Sequence, residues 1–415
     1  MDSLKELFKI GRGPSSSHTM GPERAAISFK KMYPNATHYV VNLYGSLAAT
    51  GRGHMTDKII IETLAPKKVE ILWHADIVHP YHTNYMKFIA YNGNEVLKEW
   101  EVFSVGGGTI QEMQDGKIED LTLKETYELS NLKDIISWCK QNNKELWEYV
   151  EENEGSDIWK FLNEIEISME KTIKEGLNKT GNLPAKIKVK RKAHDMYNEY
   201  LNAKNALKLS KKIFAYALAT SEENASGGTV VTAPTCGACG VIPAVLIAMK
   251  EEFELDDTTT ARGLGIAGLI GTLIKTNATI SGAEGGCQAE IGSACSMASA
   301  MAAYFLGASI DEIEYAAESG LEHALGMTCD PVGGYVIVPC IERNAIFAVK
   351  ALNTANYVTS VGADHVISFD DVVTTMAETG KDLAPAYRET STGGLAKYYE
   401  KLLKKENKNE ETTNY

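Results

Sequence analysis

The chain has 415 residues, enough for two or three domains with a sizeable buried core, so disulfide staples are not needed. Its 42 Lys and Arg against 55 Asp and Glu give a formal charge of -13, which repels phosphate backbones and anionic lipid where no basic patch exists, and none stands out. Seven cysteines, an odd number, and an N-terminus without the apolar stretch of a secretory signal point to a reducing cytoplasm, while no apolar run reaches the roughly 20 residues of a spanning helix. Nucleic-acid and membrane partners are not expected, and a small-molecule substrate is.

In chain order, the first third has α/β vocabulary. β-branched and aromatic runs at residues 38–44 and 69–74 predict strands, and residues 86–91 and 95–105, joined by Asn92-Gly93-Asn94, predict a hairpin. After residue 121 the pattern changes to charged amphipathic helix, interrupted near Gly155-Ser156 and Gly181-Asn182-Leu183-Pro184, and strand signals nearly vanish. A domain boundary is expected within residues 115–150, giving an N-terminal α/β domain over 1–150 and a mostly helical catalytic domain over 151–415, an α+β chain overall. From residue 193 onward, long Ala- and Gly-rich helical segments alternate with short loops, as suits helices packed closely around a buried site. Residues 401–415 are charged and polar, and fraying is expected there.

The cysteines that could carry chemistry lie in two segments. Cys287 follows the pair Gly285-Gly286; Cys329 precedes Asp330-Pro331; Cys340 follows Pro339 at an expected helix start, whose positive end favours thiolate. The spacing is not that of a compact zinc motif, and taken alone it fits buried packing thiols equally well. Two histidines, His18 and His54, sit in loops rich in Ser, Thr and Gly, and either can be neutral near physiological pH and accept a proton. Asp57 is placed to orient His54 if its loop folds back. The run Ser15-Ser16-Ser17-His18-Thr19 precedes an amphipathic segment, where hydroxyls and free N–H groups at a helix start suit a carboxylate.

These segments resemble the iron-sulfur-dependent L-serine dehydratases, also called L-serine ammonia-lyases, in their single-chain form. The resemblance rests on blocks in family order over nearly the whole chain: Gly13 to Thr19, Leu43-Tyr44-Gly45-Ser46-Leu47 leading to Gly53-His54-Met55-Thr56-Asp57, Ser104-Val105-Gly106-Gly107-Gly108, and Val231-Thr232-Ala233-Pro234-Thr235 with Gly240-Val241-Ile242-Pro243. Both cysteine segments and Glu389-Thr390-Ser391-Thr392-Gly393-Gly394-Leu395 complete the set. The family implies a [4Fe-4S] cluster on three cysteines, here Cys287, Cys329 and Cys340, and deamination of L-serine to pyruvate and ammonia. It favours His54 over His18 as the base and assigns the substrate to Ser15, Ser16, Ser17 and Thr19. L-Threonine or L-cysteine as substrate, or a non-catalytic cluster-bearing sensor, are the alternatives, and a homodimer is the default assembly.

Other signals are weaker. Gly263-Leu264-Gly265-Ile266-Ala267-Gly268 matches the dinucleotide fingerprint but follows a polar run and not a strand. Cys236-Gly237-Ala238-Cys239 matches C-x-x-C, although the family usually has asparagine where Cys236 stands; an extra buried thiol is the simpler reading. Cys139 and Cys295 read as packing residues, and His74, His79 and His82 as surface or structural. Ala289 stands where the family commonly has glycine. Some family members end in a cysteine that can reach the cluster, and this chain has none after Cys340.

Overall fold

The structure, a computed structural model, describes residues 1–114, 117–120, 125–204 and 207–402. The first strand, β1 (Ile10–Arg12), leads through a π-helical turn over Ser16–Met20 into helix α1 (Gly21–Met32). Strand β2 (His38–Tyr44) is followed by α2 (Gly45–Thr50), α3 (Thr56–Leu64) and β3 (Lys68–His74), and because two helices intervene β2 and β3 pair in parallel. Strands β4 (Tyr85–Asn92) and β5 (Glu95–Ser104) form the hairpin expected from Asn92-Gly93-Asn94, with Asn92 opposite Glu95 and Gly93 in the left-handed region at φ 61°. Two further strands, β6 (Ile110–Gln114) and β7 (Lys117–Asp120), had no clear sequence signal; they extend the sheet to the order β3-β2-β4-β5-β6-β7. One face is covered by α1 and α3. Alternation along the strands sends Val41, Leu43, Phe88 and Val102 to that face, against Phe29, Ile60 and Leu64.

The remainder is helical: α4 (Leu132–Asn142), α5 (Leu146–Glu154), α6 (Asp157–Leu177), α7 (Ala193–Leu201) and α8 (Lys208–Ala225) precede the short strand β8 (Thr229–Val231). Then come α9 (Val241–Phe253), α10 (Asp257–Asn277), the single turn α11 (Gly282–Gly285), α12 (Ser293–Phe305), α13 (Ile310–Glu322), α14 (Cys340–Val361) and α15 (Phe369–Asp382). Helix α12 lies at the centre, touching α9, α10, α13 and α14, and its Ala, Ser and Cys side chains are short enough to let four neighbours approach. The glycines of the apparent dinucleotide fingerprint lie inside α10. A Cβ on Gly263 would meet the Phe305 ring at 2.3 Å and one on Gly268 would meet Leu4 and Phe8 at 2.9 Å, so they serve close packing and not a phosphate.

The two halves interlock. Leu4, Leu7 and Phe8, from the very start of the chain, are buried in the helical core, and β1 pairs with β8 in antiparallel register, Ile10 opposite Val231. Helices α4 and α5 belong to that same core. The Ser15 to His18 turn is thereby held against the helical body from both sides. Asn224, at the end of α8, donates from Nδ2 to the Pro14 carbonyl at 2.8 Å, and Gly13 N–H donates to the Gly228 carbonyl at 3.0 Å.

Candidate active site

Six segments meet in one narrow cavity lined by Ser15, His54, Cys287, Cys329, Cys340 and Glu389, with Gly237 and Glu290 also on its wall. Two of these segments, at residues 16–20 and 288–292, are π-helical turns, the irregular helix geometry that recurs where side chains must be aimed at a site. Cys287 lies between α11 and the second of them; Cys340 is the first residue of α14, as the preceding Pro339 suggested. Cys329 is fixed by a backbone bridge: its N–H donates to the Tyr387 carbonyl and its carbonyl accepts from Glu389 N–H, both at 2.8 Å.

The sulfurs of Cys287 and Cys329 and a carboxylate oxygen of Glu290 all lie within 4.8 Å of one another, and all seven cysteines of the chain are free thiols. The Cys287 thiol is pushed down by the hydrogen bond from Cys329 and, against its burial, by the Arg343 guanidinium. Cys329 is pushed well up by giving that hydrogen bond and by burial, and Cys340 well up by burial. Arg343 reaches this cluster because it sits three residues beyond Cys340 on α14, on the same helix face. Three thiols in one buried pocket with a guanidinium behind them form a soft sulfur donor set, the type that holds iron-sulfur clusters once deprotonated.

The two histidine rings lie with centroids 4.6 Å apart, tilted at 47°, and both are fully buried. The carbonyl partners of the neighbouring hydroxyls serve to assign their tautomers. Thr50 Oγ1 donates its one proton to the Ser46 carbonyl at 3.1 Å, so toward His54 Nδ1, 3.0 Å away, it can only accept. Assigning the Thr50 proton to that carbonyl puts the His54 proton on Nδ1 and leaves Nε2, buried and with no hydrogen-bond partner among the described residues, as a lone pair. Ser46 Oγ donates to the Glu389 carbonyl at 3.2 Å and hence accepts from His18 Nε2 at 3.1 Å, which leaves His18 Nδ1 to accept from Ser17 Oγ at 2.8 Å. His18 has both nitrogens engaged; His54 has one free. Burial lowers the His54 pKa to about 4 and drives that of His18 well below its usual value, so both rings are neutral near pH 7.

Residues 115–396 match the family of the serine dehydratase alpha chain, and residues 3–70 that of the beta chain. The chain belongs to the serine dehydratase family. L-serine dehydratase TdcG of Escherichia coli is 40% identical over 95% of this chain and 99% of its own length. The L-serine dehydratases of Haemophilus influenzae and Streptomyces coelicolor are 40% and 39% identical, again over 95% of this chain, and over 99% and 98% of theirs.

Against this serine dehydratase framework, several expected residues find different employment. Asp57 does not orient His54; its carboxylate accepts from Lys58 N–H at 2.9 Å on an exposed turn, and Thr50, four residues before the histidine, takes that place. Of the serine run, Ser15 caps its own turn by accepting from His18 N–H, Ser17 holds His18, and Thr19 Oγ1 donates to the His54 carbonyl at 2.7 Å. Ser16 is buried. Cys236 and Cys239 pack with Met20 and Val230 behind the cavity, and burial pushes both thiols up. Cys139 and Cys295 are buried in the helical core. His74 bonds Asn42, His79 packs on Tyr85 and Phe103, and His82 pairs with Glu284 at 3.3 Å, so the three do not form a common site.

Glu389, Glu290, Thr50 and Ser46 were not singled out from sequence. Glu389 is nevertheless the first residue of one family block, and its Oε1 lies 3.6 Å from His18 Nδ1 and 3.9 Å from His54 Nε2. Burial, then the negative charge of Glu290 and Cys287, pushes its carboxyl well up. Thr50 and His54 are spaced by four residues in a helical turn, a signal a periodicity reading could have used.

Proposed function

We propose that the chain is an L-serine ammonia-lyase that converts L-serine to pyruvate and ammonia. The observation that carries this reading is the bare Nε2 of His54, held by Thr50 through Nδ1 and facing the same cavity as Cys287, Cys329 and Cys340. The names of the relatives support the substrate. The three cysteines would hold a [4Fe-4S] cluster, which would supply Lewis-acid chemistry for departure of the serine hydroxyl. Neutral His54 takes the α-proton on Nε2, with Thr50 holding the ring in the one orientation that aims that nitrogen inward. Ser15 and Ser16, with the N–H groups at the start of the turn, bind the substrate carboxylate, while Ser17 and Thr19 hold His18 and the His54 carbonyl. Burial of both histidines excludes bulk water while the proton moves. Loss of the α-proton and β-hydroxyl leaves 2-aminoacrylate, whose tautomerisation and hydrolysis need no further group.

Among the described residues no helix is long and apolar enough to cross a membrane. The test is pyruvate formation by protein purified without oxygen, supplied in turn with L-serine, L-threonine and L-cysteine, and the largest kcat/KM is expected on L-serine. Replacing Cys287, Cys329 or Cys340 by Ala should remove bound iron, whereas Cys139→Ser should keep it. Full turnover by iron-free protein, or equal iron loss at Cys139, would refute the assignment.

A further inference from the structure

We infer that Glu389 binds the α-ammonium group of the amino-acid substrate. The inference rests on the elimination reading above and adds the residue that lets the site tell an amino acid from a plain carboxylic acid. An α-amino acid enters as a zwitterion, so a site that takes its carboxylate on hydroxyls also needs an acceptor for three N–H donors. Two carboxylates line the cavity. Glu290 is already engaged: Thr235 Oγ1 donates to it at 2.6 Å, and Gly237 and Gly282 press against its oxygens so closely that a Cβ on either would stand within 2.8 Å. Glu389 points the other way, to the histidines, and no lysine or arginine among the described residues forms an ion pair with it.

The tautomers sharpen the argument. Both imidazole nitrogens that face Glu389 present lone pairs, because His18 Nδ1 accepts from Ser17 and the His54 proton is on Nδ1. Burial holds the Glu389 carboxyl well up, and a cation placed beside it would draw it into the ionised form, whose oxygens then have no donor but that cation. The corner formed by Glu389 Oε1 and the two nitrogens is thus made only of acceptors, the environment that a three-donor cation completes and that a hydroxyl or a methyl group cannot. With Oε1 only 3.9 Å from His54 Nε2, an ammonium nitrogen bonded to Glu389 brings the adjoining Cα–H within reach of the base.

The backbone is built to hold this carboxylate in place. Glu389 and Ser391 both lie in the left-handed region, at φ 57° and 56°, unusual for side chains other than glycine and asparagine. The strap is pinned at three points: Glu389 N–H to the Cys329 carbonyl at 2.8 Å, Ser391 Oγ to the Pro331 carbonyl at 2.7 Å, and Leu395 N–H to Asp330 Oδ2 at 2.6 Å. All three anchors belong to the loop that carries Cys329, so the ammonium acceptor and a cluster cysteine are set by one piece of chain.

The experiment is equilibrium titration of anaerobically prepared holoenzyme with L-alanine, which keeps ammonium and carboxylate but has no leaving group, and with propanoate, which lacks only the ammonium. Glu389→Gln, nearly isosteric, is expected to raise the Kd for L-alanine about 10- to 100-fold and to leave that for propanoate within about 2-fold, the span of a charged hydrogen bond. Wild-type enzyme should prefer L-alanine by a similar ratio. Equal weakening of both ligands in Glu389→Gln would show that Glu389 only supports the histidines and would overturn the inference. So would a wild type that does not prefer L-alanine, or a preference abolished by Glu290→Gln but kept in Glu389→Gln. Failure of the elimination reading looks different: the alanine preference persists in the wild type and in its loss at Glu389, yet L-serine yields no pyruvate.

Discussion

At the scale of single residues, the site depends on which nitrogen of His54 is free, and that is decided by one hydroxyl. Thr50 spends its only proton on the Ser46 carbonyl, so it must accept from His54 Nδ1. Thr50→Val keeps the shape but removes the acceptor, leaving a buried N–H unpaired and the ring free to turn over. Turnover of L-serine is expected to fall about 10- to 100-fold with little change in KM, and Thr50→Ser should restore it. Asp57→Asn, which a loop-based reading would have made equally damaging, should leave kcat within about 2-fold, since Asp57 only meets its own turn. Steady-state pyruvate assays on the three variants check this.

Among the elements, α13 contains a charge placed at an energetic cost. Glu318 is buried on its inner side, and burial, followed by the neighbouring Glu322, raises its pKa to about 7, with Glu314 acting the same way and His365 opposing. Between about pH 4.5 and 7 the folded carboxyl retains a proton that the unfolded chain has released, so stability falls as pH rises through that window and is flat above it. Glu318→Gln removes the ionisation and should raise the unfolding free energy at pH 8 by on the order of 1 to 3 kcal/mol, seen as a higher melting temperature, while changing little at pH 4.5. Thermal unfolding at the two pH values measures the difference; an equal effect at both would mean that the charge of Glu318 is not what matters. Elements of this kind were only partly legible. The strands expected at residues 38–44 and 95–105 followed from β-branched and aromatic runs and the Asn92-Gly93-Asn94 turn, whereas β6 and β7 carry mixed polar side chains that give no such signal.

For the molecule as a whole, the cut suggested by composition and the division made by packing differ in an instructive way. The opening segment looks in sequence like the start of the α/β half, yet Leu4, Leu7 and Phe8 lie fully buried against α10 in the helical core. Phe8→Ala is therefore expected to cost about 3 to 5 kcal/mol through lost burial and the cavity left behind. It should lower the melting of the helical signal followed by circular dichroism. The same interlocking places the Ser15 to His18 turn beside Cys329, with β1 and β8 as the seam.

What the sequence determined by itself was the chemistry available: three cysteines beside turn residues, two histidines in hydroxyl-rich loops, and family blocks in an order that names the reaction class. Those are local features, written in residue types and short spacings. Only the tertiary structure decided which groups face each other. Glu389 lies 335 residues from His54 (389 less 54), and its contact with the imidazoles exists because a strap in the left-handed region is pinned to the Cys329 loop while the N-terminal turn is threaded into the helical body. Tautomer, orienting hydroxyl and acceptor corner are all consequences of hydrogen-bond direction between segments remote in the chain, and direction across such distances leaves no periodic mark in a sequence.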